Sequence, residues 1–233
     1  MRVATAAERS GFASLWIGDR LPAGTDTSPD THTLETFTLL GALAIRTTRL
    51  QLGAWISDVS RWNPGLLAKV VTTLDIISGG RAMLGFATTE DAEELEALDE
   101  TVGLCRALLA EDDVSAHGSR VVFTHARNLP RPVQPGGPRI LVGITGNRSA
   151  ALAARSADAV VVTGDHALAT ETVARVRYAF EAVGRDPTGI ATVWWGPLPS
   201  TGGDPRRQAA PALEGGAEEV VFTVRAPFRV RPG

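Results

Sequence analysis

Seven short β-branched or aromatic runs, separated by helical patterns along 233 residues, predict an α/β chain of parallel strands joined by helical crossovers. Repetition of the strand–helix unit points to a shortened TIM-type (β/α)8 barrel that is one strand short, with an open doubly wound sheet as the alternative. A hydrophobic content of 44% against 21% charged residues suits one substantial core, so residues 1–233 are read as a single domain.

Met1–Ser10 has the pattern of a helix tail. Strands are expected at Ser14–Gly18, Arg49–Trp55, Ala82–Phe86, Arg139–Val142, Ala159–Thr163, Ile190–Trp195 and Glu219–Val224. Helices are expected at Thr33–Arg46, Pro64–Ile77, Asp91–Ala110, Arg148–Ser156, Ala167–Val183 and Pro205–Glu214. Ser78-Gly79-Gly80 and Gly184 supply stop signals, and Thr89 with Asp91–Glu93 suits an N-cap and an acidic first turn. Gln134–Pro138 and Pro197–Pro205 read as loops, and Val114–Pro135 as irregular. In a complete barrel another strand would precede Met1. Its absence would expose two sheet edges, to be covered by a dimer partner or by the irregular segment.

The charge balance, 26 acidic against 23 basic residues without long blocks, excludes the electrostatic footprint of a general nucleic-acid binder. Cys105 is the sole cysteine, so no internal disulfide or thiolate metal cluster can form within one chain, and a small buried apolar role is expected for it. The sequence has no eighteen-residue apolar run and no signal-peptide pattern at its start, so no membrane partner is expected and the compartment is read as cytoplasmic. His117 and His125 lack metal-ligand spacing with each other or with Asp112, and no metal is expected.

Residues 138–164 carry the most chemical information. Pro138–Val142 forms a strand, Gly143 and Gly146 permit a tight turn and close approach, and Asn147, Arg148 and Ser149 open an alanine-rich helix. Free helical N–H groups, the positive dipole end, a guanidinium and a hydroxyl would converge there on one anion such as a phosphate. The same Gly-x-x-Gly spacing also builds ordinary strand-to-helix turns.

Five segments carry a resemblance: residues 11–19 (GFASLWIGD), 42–53 (ALAIRTTRLQLG), 63–85 (NPGLLAKVVTTLDIISGGRAMLG), 130–134 leading into 138–143, and 146–158 (GNRSAALAARSAD). In this order they resemble the bacterial luciferase-like monooxygenase family, barrel oxidoreductases that use FMN or the deazaflavin coenzyme F-420. The resemblance implies a flavin-type ring across the C-terminal mouth of the barrel, with its phosphate at Gly143, Gly146, Asn147, Arg148 and Ser149. It also implies a non-prolyl cis peptide behind the ring, here Trp55–Ile56, which places Trp55 and Ile56 among the cofactor-binding candidates. A small organic substrate, oxidised by oxygen insertion with FMN or by hydride transfer with the deazaflavin, and a homodimer formed near Thr33–Ile77 are further implications.

The chain departs from the family pattern at several points. The family often has histidine directly after the acidic residue that ends the first segment, and this chain has Arg20, which stays protonated and cannot act as a base. Asp19 and Arg20 are therefore the only catalytic candidates, with no role assigned; Arg20 could equally pair with Asp19. His32 is the nearby histidine. The insertion that usually follows the fourth barrel strand is missing, since Ala87–Asp91 enters a helix at once. Trp55, Trp62, Trp194 and Trp195 would either shape a planar pocket or fill a roomy interior. These departures keep a second class open: a degenerate, non-catalytic relative that stores or senses a flavin-like ligand, or a scaffold with no cofactor.

Overall fold

The computed structural model describes residues 1–19, 34–164, 166–197 and 204–223. The elements run α1 (Arg2–Arg9), β1 (Ser14–Asp19), α2 (Thr36–Arg46), β2 (Gln51–Ile56), α3 (Pro64–Ser78), β3 (Ala82–Phe86), α4 (Ala92–Ala110), β4 (Val114–His117), β5 (Val122–Ala126), β6 (Arg139–Gly143), α5 (Asn147–Ser156), β7 (Ala159–Thr163), α6 (His166–Ala182), β8 (Ala191–Pro197), α7 (Pro205–Glu214) and β9 (Glu219–Thr223). All seven expected strands are present within one or two residues at each end. Two compact units are distinguished among the described residues: Met1–Ala87 with Glu96–Ile140, and Thr88–Leu95 with the described residues of 141–223.

In the first unit β1, β2 and β3 are parallel neighbours, with Trp16 opposite Gly53, Asp19 opposite Ile56 and Trp55 opposite Gly85. Alternation divides the sheet into two faces. Leu52, Ala54, Ile56, Leu84 and Phe86 are fully buried on the face that meets α2 and α3, whose Leu40, Leu67 and Val71 are also fully buried. Burial of such a side chain contributes about 1.5–3 kcal/mol. The other face carries Trp16 and Trp55, edge to face with ring centroids 6.0 Å apart. Glycine makes room for both rings: a Cβ on Gly53 would stand 2.1 Å from Trp16 Cε3, and one on Gly85 would stand 2.3 Å from Trp55 Cε3.

The helix ends follow their sequence signals. The Asn63 side chain accepts from the N–H groups of Gly65 and Leu66 with Pro64 at the first helical position, and Gly79 closes α3 in the left-handed region at φ 70°. Glu8 Oε1 accepts from the backbone N–H groups of Thr48, Arg49 and Leu50 at 2.7–3.1 Å, which ties α1 to the turn before β2.

Two residues of the TLDIISGGR run act as clasps. The carboxylate of Asp75, fully buried, accepts from the backbone N–H groups of Val133 (2.8 Å) and Gln134 (3.0 Å) and from the Gln134 side-chain amide (2.7 Å). The Arg81 guanidinium donates to the carbonyls of Ala44, Thr47, Leu50 and Ser78 and to the Thr47 hydroxyl, at 2.7–3.1 Å. Partial burial lowers the Arg81 pKa from its ordinary value, a cost offset by this set of carbonyl acceptors.

The segment Val114–Pro135, expected to be irregular, contains an antiparallel pair, β4 with β5. Its strands are only four and five residues long and a register shift interrupts their pairing, so the alternation of Val114 and Ala116 with Ser115 and His117 is too brief to mark a strand in sequence. Their turn is held from α4, where Glu100 accepts from the N–H groups of Ser119 and Arg120 at 3.1 Å. Cys105 is fully buried with Sγ 3.4 Å from the Pro64 carbonyl, and burial pushes its thiol up to about 12. It packs as the expected small apolar residue.

In the second unit β6, β7, β8 and β9 are parallel neighbours in that order. Trp194 belongs to a core cluster with Val162, packed by Ala212, Ala217, Val220 and Phe222, and its indole N–H donates to the Gly164 carbonyl at 3.1 Å. Trp195 donates to the Thr223 hydroxyl at 2.6 Å. Among the described residues no helix is long and apolar enough to cross a membrane.

Candidate functional site

The turn from β6 into α5 is built from its own hydroxyl. Ser149 is fully buried, and its Oγ accepts from the backbone N–H groups of Thr145 (3.0 Å) and Gly146 (2.9 Å) while lying 3.1 Å from the Gly146 carbonyl. The serine therefore closes the turn and is not aimed outward. Gly146 has φ −173°, ordinary extended backbone, so the positive-φ freedom of glycine is not what the position uses. What it uses is space.

That space is taken by Glu90, from the connection that leads into α4. Glu90 Oε2 accepts from the backbone N–H of Arg148 at 3.1 Å; Oε1 accepts from the N–H of Ser149 at 3.1 Å and from the Thr145 hydroxyl at 3.3 Å. The Arg148 guanidinium returns a bond to the Glu90 carbonyl at 3.1 Å. A Cβ on Gly146 would stand 2.4 Å from Glu90 Cδ, so a larger residue at 146 would push the carboxylate from its seat. Partial burial pulls the Glu90 pKa up, but the donors of Ser149, Arg148 and Thr145 outweigh it and hold the carboxyl below its ordinary value. Thr88 adds a clasp beside it, donating to the Gly143 carbonyl at 2.8 Å.

This arrangement tests whether the turn suits a phosphate. Two helical N–H groups, a hydroxyl and the positive end of α5 hold an anion in place, and that anion is the chain's own Glu90 carboxylate. The donor set fits an anionic group, and Gly143, Gly146, Arg148 and Ser149 do converge on one turn. Asn147 is exposed at the first position of α5.

The remaining candidates stand elsewhere. Trp55 is half-buried over Gly85, but Ile56 is fully buried on the helix-facing side of its sheet. The expected cis bond at Trp55–Ile56 is not found: among the described residues the cis peptide is Leu129–Pro130. Asp19, 5% exposed at the C-terminal end of β1, accepts from the Trp62 indole N–H at 2.7 Å and lies 3.5 Å from the Arg61 guanidinium. Trp62 stacks edge-on against Phe37 at 5.3 Å. Arg20 and His32 lie outside the described residues. Among the described residues no three His, Cys, Asp or Glu side chains gather as a metal site.

Sequence reasoning missed two partnerships here. Glu90 was covered by the capping pattern around it, which is real: Asp91 accepts from the N–H groups of Glu93 and Glu94 at 3.0 Å. Trp62 is the indole partner of Asp19, and only its aromatic character, not its partner 43 residues away, was visible in sequence.

Comparison with known proteins agrees with this architecture. The luciferase-like monooxygenase family profile matches residues 1–201. A 5,10-methylenetetrahydromethanopterin reductase of Methanolobus tindarius is 26% identical over 79% of this chain and 56% of its own length. An F420-dependent glucose-6-phosphate dehydrogenase of Nakamurella multipartita is 30% identical over 78% of this chain and 58% of its own length. The chain thus spans a little over half the length of these curated relatives. The crystal structure of a monooxygenase from Streptomyces bottropensis superposes with a TM-score of 0.71 at 29% identity, covering 92% of this chain and 69% of that one. With most of its length matched by the family profile and its strand–helix order shared with a solved barrel, the chain belongs to the luciferase-like monooxygenase family and has its α/β barrel fold.

Proposed function

We propose that this chain is a deazaflavin- or flavin-dependent oxidoreductase for a small organic substrate, and that the β6–α5 turn takes the coenzyme's phosphate. The single observation that carries this reading is the carboxylate already seated on the N–H groups of Arg148 and Ser149, at the turn singled out by the sequence. The names of the relatives, several of them F420-dependent, support the deazaflavin over FMN. The bound coenzyme supplies the hydride or oxygen chemistry. The chain's own residues would bind and orient it: the Arg148 and Ser149 N–H groups hold the anion, Arg148 adds positive charge, and Gly146 leaves room.

Titration of the purified protein with FMN and with F-420, followed by cofactor fluorescence, tests this reading. Arg148→Ala is expected to raise the dissociation constant about tenfold or more, the loss of a charge-assisted bond worth roughly 1–3 kcal/mol. An unchanged constant removes Arg148 from the site. No binding of either compound by the unaltered protein favours the second reading, a non-catalytic relative. That alternative draws on Trp16 and Trp55, whose rings cover the glycines of their sheet face, and on the trans bond at Trp55–Ile56.

The same proposal includes a homodimer through α2 and α3. Its support is exposed aliphatic surface on these helices: Ile45 at 77%, Leu66 at 56% and Ile77 at 50%. Light scattering is expected to give twice the mass of the chain, and Ile45→Glu to shift it toward the monomer; a monomer at all concentrations refutes the association.

A further inference from the structure

We propose that Glu90 is a built-in competitor for the β6–α5 turn, so that a phosphate-bearing ligand binds there only by displacing its carboxylate. Residue 90 then sets the affinity and selectivity of the site. This rests on the reading that the turn is the coenzyme's phosphate site.

The geometry leaves room for one anion. Each of the two helical N–H groups already has a carboxylate oxygen at 3.1 Å, and the Thr145 hydroxyl is shared with the same group. A phosphate at the same donors would place a second negative charge against the first, which both Coulomb repulsion and the single hydrogen on each N–H forbid. The space freed by Gly146 is occupied by Glu90 Cδ, not left open. Displacement is nevertheless cheap in backbone terms. Thr88 remains fastened to the Gly143 carbonyl and Asp91 to the first turn of α4 when the Glu90 side chain rotates away, and Glu90 is itself exposed. The site therefore has two states of one side chain. The apparent affinity for ligand is the intrinsic affinity reduced by the fraction of molecules with the turn vacated.

The same device selects among ligands. A weak anion cannot replace a carboxylate whose effective concentration is fixed by the chain, whereas a phosphate ester with further contacts through its organic part can. Inorganic phosphate alone is therefore expected to bind poorly to the unaltered protein.

Calorimetric titration of the full chain with inorganic phosphate, FMN and F-420 tests the proposal, using the unaltered protein, Glu90→Gln and Glu90→Ala. Glu90→Gln keeps the side-chain volume and removes the charge; Glu90→Ala also vacates the space. Circular dichroism and thermal midpoints establish that both variants are folded. Binding about tenfold tighter in both variants, with inorganic phosphate becoming measurable, is the expected result. Equal constants in all three proteins overturn the competitor role and leave the phosphate-site reading intact. Weaker binding in the variants also overturns it, because Glu90 would then be contributing to the ligand. No binding of any compound by any of the three proteins overturns both.

Discussion

Asp75→Ala is expected to destabilise the folded chain by about 3–5 kcal/mol, the cost of stripping a buried acceptor from the donors that converge on it. The carboxylate is fully buried and meets two backbone N–H groups and one side-chain amide across 58–59 residues of sequence. Gln134 keeps a bond from its amide to the Ala82 carbonyl, but the N–H groups of Val133 and Gln134 lose the partner that fixes the approach to β6. At this chain length each kcal/mol moves the thermal midpoint by about 2–4 °C, so the midpoint is expected to fall by roughly 10 °C. Asp75→Asn is expected to cost less than half as much, since its carbonyl oxygen still accepts from the backbone pair. Thermal and urea denaturation of both variants check this. Equal losses would mean that charge, and not the number of acceptors, dominates.

Arg81→Met is expected to cost about 3 kcal/mol. The substitution keeps an apolar stem of similar length and removes the planar donor group, so the loss isolates the carbonyl clamp. Four carbonyls, from the end of α2, the turn before β2 and the end of α3, converge on one guanidinium. Lysine offers a single ammonium and cannot span them, so Arg81→Lys is expected to recover less than half of the loss. Urea denaturation midpoints at constant m-value provide the measurement; a lysine variant as stable as the unaltered protein would show that one or two of these bonds suffice.

These two residues also show what sequence can and cannot disclose. The TLDIISGGR run was the most specific family signature in the chain, yet the roles of Asp75 and Arg81 within it are architectural. Their partners lie 31–59 residues away for the most part, beyond any local pattern. Strand and helix positions were legible because hydrophobic periodicity, Asn63-Pro64 and Gly79 are local signals. The antiparallel pair β4–β5 was not, because strands of four and five residues are too short for their alternation to stand out. At the candidate site, the turn and helix onset at residues 146–149 were readable from glycine spacing. The carboxylate that meets its N–H groups was not, since Glu90 reaches the turn from 55–59 residues upstream. Ile56, a position taken from the family pattern, has its side chain in the core, which its place in a strand facing the helices accounts for.

The tryptophan–glycine pairs on the first unit's sheet carry a mutational consequence. In their observed rotamers Trp16 leaves no room for a Cβ at position 53, nor Trp55 for one at position 85. A side chain at either site is admitted only with rotation of the indole it meets. Positions 16 and 53, and 55 and 85, are therefore coupled in substitution, independently of any demand from catalysis.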